Sequence, residues 1–105
     1  MASGTINNNG WKYFNSFSGG NPLTQSLPTE YNELMLEFSA NGVCMNFNVL
    51  KAQLSSTSKL FSDGYYNTTS DYCIMVLSLT NATVTRATAI FHGTSYTPTV
   101  TVYYR

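Results

Sequence analysis

The chain has 105 residues and no net charge; its charged fraction is 10%, while Asn, Ser and Thr supply 37 positions. Nucleic-acid binders displace counterions with clustered Lys and Arg. Here Lys12, Lys51, Lys59, Arg86 and Arg105 are scattered along the sequence, so that class is discounted and no nucleic-acid partner is expected. No window approaches the ~20 apolar residues of a membrane helix, which argues against membrane insertion, and the length suits one domain.

Met1–Thr5 has neither the basic start nor the apolar run of a secretory signal. Residues 1–10 are small and polar and read as a flexible lead-in or linker to a domain over 11–105. Trp11–Phe17 opens the first strand, and Gly19-Gly20-Asn21-Pro22 breaks it. A short piece from Leu23 to Leu27 follows. Next, Leu34, Leu36 and Phe38 alternate with polar residues up to Asn41-Gly42, and Val43, Met45, Phe47 and Val49 alternate after it. Asn-Gly is the preferred type I′ pair because both turn residues need positive φ. A two-residue loop there sets Phe38 opposite Met45, Leu36 opposite Phe47 and Leu34 opposite Val49, all on one face. A one-residue slip would destroy that match.

Ser55–Ser58 reads as a loop. Asp63-Gly64, before Tyr65-Tyr66, reads either as a second tight turn or as a strand with a glycine bulge. Tyr72–Leu77 is apolar on both parities, the pattern of a strand buried on both faces. Asn81-Ala82 leads into a strand over Thr83–Phe91, though alanine suits a positive-φ turn poorly. His92–Ser95 turns into the last strand, Thr99–Arg105. No helix or internal repeat is evident. About seven or eight short strands with frequent turn signals predict an all-β, antiparallel, jelly-roll-like sandwich.

No catalytic or metal-binding set emerges. The single histidine, His92, has no local acid or nucleophile partner for a triad. Cys44, Cys73 and His92 are too few and too far apart for zinc, so no cofactor is expected. Glu33 and Glu37 share a strand face about 13 Å apart, beyond either glycosidase geometry; Asp63 and Asp71 are candidates for one rim. Cys44 falls on the outer hairpin face and Cys73 in a central strand, so two free thiols are expected. Asn67-Thr68-Thr69 and Asn81-Ala82-Thr83 match the glycosylation sequon, as chance allows in so Asn- and Thr-rich a chain.

The aromatic residues carry the functional question. Trp11 and eight tyrosines exceed what a core of this size needs, so some should be half exposed. Tyr65 and Tyr66, beside Asp63 and Asn67, offer ring faces and hydrogen-bonding groups for a sugar. Adjacent strand residues face opposite sides, so at most one of the two tyrosines should line a given face. The competing use is one tyrosine in the core and the other over a subunit contact.

Four segments in order carry a resemblance. They are Trp11-Lys12, Leu27-Pro28-Thr29-Glu30-Tyr31-Asn32-Glu33-Leu34, Asp63-Gly64-Tyr65-Tyr66 and Val102-Tyr103-Tyr104-Arg105. Together they resemble a C-terminal module of phage and prophage minor structural proteins, of the tail-fibre or receptor-binding kind. The resemblance implies a β-sandwich at the end of a virion fibre, assembled in the bacterial cytoplasm. It also implies a homotrimer below an upstream fibre, without enzymatic activity, contacting a host-surface glycan or protein. Tyr65, Tyr66, Asp63, Asn67 and Trp11 are then the candidate ligand-binding residues. This sequence departs from the family in carrying no coiled-coil heptads or collagen-like repeat.

Overall fold

A computed structural model describes residues 10–19 and 24–105. The lead-in, apart from Gly10, lies outside the described residues, as do Leu23 and most of the Gly19–Pro22 break. The strands are β1 Lys12–Ser18, β2 Gln25–Ser26, β3 Glu33–Ala40, β4 Val43–Leu50, β5 Lys59–Thr68, β6 Asp71–Leu79, β7 Thr83–Phe91, β8 Thr94–Tyr96 and β9 Thr99–Tyr104. Two antiparallel sheets pack as a sandwich. One runs β1-β9-β3-β4; the other runs β2-β7-β6-β5, with β8 pairing the same side of β7 as β2. The chain crosses between sheets after β1, β2, β4 and β8. It runs as a hairpin in the first sheet and as a β5–β8 meander in the second. β2 and β8 raise the strand count above expectation; at two and three residues they are too short to print an alternation.

The core follows from strict period-2 patterning. Leu34, Leu36 and Phe38 of β3, Val100 and Val102 of β9, and Met75, Leu77 and Leu79 of β6 are fully buried. Burying each such side chain is worth roughly 1.5–3 kcal/mol. The β3–β4 hairpin has the expected register, Phe38 opposite Met45 and Leu36 opposite Phe47. Its turn residues sit at φ 50° (Asn41) and 80° (Gly42). The Phe38 and Phe47 rings meet edge to face at 5.5 Å, the arrangement that aromatic quadrupoles favour.

Three expectations need correction. β6 is buried on one face only: Cys73, Met75 and Leu77 are in the core, but Ile74 on the other face is 43% exposed. Its two-sided apolarity marks an open apolar surface, not a strand between layers. Asp63-Gly64 is neither a turn nor a bulge, because β5 runs straight through it; the reversal comes at Thr69-Ser70 and the irregularity at Asn67. A Cβ at Gly64 would fall on the Cys73 carbonyl oxygen, so glycine serves a close approach of two backbones. Finally, His92-Gly93, at φ 52° and 82°, closes the β7–β8 hairpin and does not lead directly into β9. The Asn81-Ala82 connection has no positive φ at Ala82. Thr80 organises it instead, its hydroxyl accepting from the Ala82 and Thr83 amides.

Candidate ligand-binding cleft

β5 is an edge strand that the first sheet leaves largely uncovered. Its inward positions Asp63 and Tyr65 stand opposite Met75 and Cys73. Those β6 partners are fully buried, yet Asp63 is exposed and Tyr65 is 41% exposed. Phe61 still packs against the core from β5, but past it the strand projects as a rim. Tyr65 therefore meets solvent although it points inward, while Leu60 and Tyr66 are exposed on the outer face.

On the outer face of the second sheet, pairing sets Tyr66 opposite Tyr72. Their rings stack at 5.9 Å with 29° between planes. Tyr72 in turn lies 5.9 Å from the His92 imidazole. Three rings from β5, β6 and the β7–β8 turn thus form a ladder across the sheet. Next to it opens a cleft of about 360 Å³, bordered by Ser62, Gly64 and Tyr66 of β5 and Tyr72 and Ile74 of β6. The volume falls within the range that small ligands occupy.

Polar groups rim this end of the sheet. Asn67 Nδ2 donates to Asp71 Oδ2 at 3.1 Å, and His92 Nε2 is 3.9 Å from Asp71 Oδ1. Partial desolvation holds the Tyr65 phenol above its ordinary value, and the nearby Asp71 carboxylate and Cys73 thiol reinforce the shift, together with a hydrogen bond to Asp71. Asp63 and Asp71 do not form a pair. Asp63 stands opposite Met75, four residues along β6 from Asp71, a separation of about 13 Å at the usual strand rise. Among the described residues, no three metal-ligating side chains gather.

Of the sequence-derived candidates, Tyr65, Tyr66, Asp63 and Asn67 do share this region. Tyr65 and Tyr66 take opposite parities, as strand geometry requires. Trp11 does not join them. It is buried to 4% exposure, and the Arg105 guanidinium lies 4.2 Å from its ring centre. Tyr72 and His92 were missed as ring partners. A turn at Thr69-Ser70 alone would set Tyr66 opposite Cys73; the irregularity at Asn67 shifts the register by one and brings Tyr66 opposite Tyr72.

The basic side chains are also less scattered than their sequence positions imply. Lys12, Lys51 and Arg105 line one second cleft of about 480 Å³ at the Trp11 end of the molecule. β1–β9 pairing sets Lys12 opposite Tyr104. The hairpin register, Glu33 opposite Leu50, brings Lys51 beside Asn32. Comparison of the chain with protein-family models, curated proteins and solved structures found no match.

Proposed function

We propose that the chain is a non-catalytic attachment module that binds a glycan on a host cell surface, carried at the tip of a phage tail fibre. The observation that carries the binding reading is the Tyr66–Tyr72–His92 ladder beside the cleft at Gly64. Tyr66 is 69% exposed, a large unburied ring in a chain with few charges. Such rings present an apolar face and a wet tip. That suits a sugar, whose C–H faces stack on aromatic rings while its hydroxyls take up amides and carboxylates such as Asn67 and Asp71. A neutral surface supplies no long-range steering, so single-site affinity should be low. Several copies on a fibre would raise avidity by roughly 10²–10⁴ without new contacts. The virion setting, the trimer and the lack of catalysis follow from the resemblance of the four sequence segments. The wide separation of Asp63 and Asp71 supports the last of these, since glycosidases hold two carboxylates close.

A second reading has its own observation. Leu60 is 65% and Ile74 43% exposed on the same outer face as Tyr66. Such a face also suits a subunit contact in a fibre cap, where aromatic residues are enriched. Glycan-array screening of the intact chain, with its solution mass from light scattering, separates the two. Glycan hits from a chain of any mass support attachment. A tight oligomer with an empty array supports the cap.

A further inference from the structure

We infer that the second cleft, between the start of β1, the Thr29–Asn32 loop, Lys51 and Arg105, binds a hydroxylated carboxylate of the hexuronic-acid type. The two clefts share no lining residue, so this inference does not rest on the attachment reading above.

The cleft collects three of the five basic side chains of the protein. Each is laid on an aromatic ring: Lys51 Nζ 4.9 Å from the Tyr31 centre, Lys12 Nζ 5.8 Å from Tyr104, and Arg105 over Trp11. Ring faces attract cations and so restrict where the ammonium groups stand. The walls are held by the backbone: the Asn32 amide donates to the Arg105 carbonyl at 2.9 Å, and the Lys51 amide donates to the Asn32 carbonyl at 2.8 Å. Tyr31 is anchored by its hydroxyl, which donates to the Asn81 carbonyl at 2.7 Å.

The charges in the cleft are differently engaged. Arg105 Nε donates to Glu33 at 2.8 Å. Among the described residues, neither Lys12 nor Lys51 has a carboxylate within ion-pair distance. Lys59, elsewhere, donates its ammonium to the Gln53 carbonyl. Two lysines on an open surface would be an ordinary solvated pair. Here they face one walled cleft, in a chain where charged residues are scarce.

Glu30, Thr29 and Asn32 decide the ligand class. A bare anion would meet repulsion from the Glu30 carboxylate. An acid that also carries hydroxyls uses Glu30 and Asn32 as acceptors while the lysines hold its carboxylate. The size agrees. An adjoining cleft of about 480 Å³ shares Thr29 and Lys51 and continues to Asn81 and Thr83, giving space for a second sugar residue.

The test is an amide chemical-shift titration of the isotope-labelled full chain with sodium glucuronate, and in parallel with glucose and sodium acetate at matched ionic strength. Glucuronate should move the Asn32, Lys51 and Arg105 amides saturably, and added salt should weaken the effect. Glucose and acetate should not reproduce it at the same concentrations. Lys12→Gln and Lys51→Gln should each weaken binding by roughly two- to five-fold, the range for exposed ion pairs, with the spectrum confirming that each variant is folded. Tyr66→Ala should leave the response intact. Equal response to acetate would reduce the site to general anion binding and overturn the inference. So would equal response to glucose, shifts confined to the Tyr66 region, or no saturable shift at all.

Discussion

Tyr31 shows how one side chain ties the two sheets of the sandwich together. Its ring is buried and lies under Lys51, and its hydroxyl reaches the β6–β7 connection at Asn81. Burial raises its phenol above the ordinary 10.0. A group raised on folding contributes its stability fully below its unfolded value and loses it as pH climbs through the folded one. Stability should therefore fall above about pH 10, as the phenolate is forced out of the core. Tyr31→Phe should cost about 1 kcal/mol at neutral pH and make that alkaline decline shallower; denaturant melts at pH 7 and at alkaline pH read both effects. The thiols give a second check at this scale. Cys44 is exposed and Cys73 buried, both free, and burial pushes the Cys73 thiol up. A thiol reagent should modify Cys44 in the native protein and reach Cys73 only on unfolding; two fast thiols, or none after denaturation, would contradict this burial. The assignment of Cys44 to the outer face was legible from the hairpin register, since its partner Ser39 alternates with the buried Phe38. The burial of Trp11 was not, because a residue next to a strand end has no alternation to place it.

At the scale of elements, legibility tracked whether two local signals agreed. The β3–β4 hairpin had both a type I′ pair and matching alternation, and its register is as expected. The bounds of β7, Thr83–Phe91, are also as expected, although Asn81-Ala82 gave no clean turn signal. β5 was not legible. Asp-Gly is a strong turn signal, but at Gly64 the missing side chain answers a tertiary demand, the close approach of the β6 backbone at Cys73. β6 misled in the other direction: Ile74 and Val76 look like core in a single sequence, and only the sheet order shows that no third layer of the described residues covers that face. Gly64→Ala should accordingly destabilise the fold by about 1–3 kcal/mol, as overpacking does. Chemical denaturation should show a lower midpoint with an unchanged slope. A neutral result would mean that β5 shifts freely at the rim, and the cleft beside it would then lack a fixed wall.

For the whole molecule, composition and strand spacing were enough for a β-sandwich, because turn signals recur and no segment carries a helical period. The crossing order of strands between sheets was not legible, since it depends on which hydrophobic faces meet. With it went the convergence of Lys12, Lys51 and Arg105, whereas the ring ladder through Tyr72 and His92 was hidden by the misplaced β5–β6 turn. The second cleft is a product of that order, assembled from segments distant in the chain; the cleft at Tyr66 is built by one hairpin, β5–β6. The outer face at Tyr66 is the proposed glycan site. It is tested most directly by Tyr66→Ala, comparing glycan-array binding, melting temperature and solution mass with the unmodified chain. Tyr66 is 69% exposed, so its loss should change stability by no more than ~0.5 kcal/mol. Array binding should disappear while melting temperature and mass stay unchanged. Unchanged binding, or a protein that unfolds or dissociates with no glycan ever captured, would contradict it.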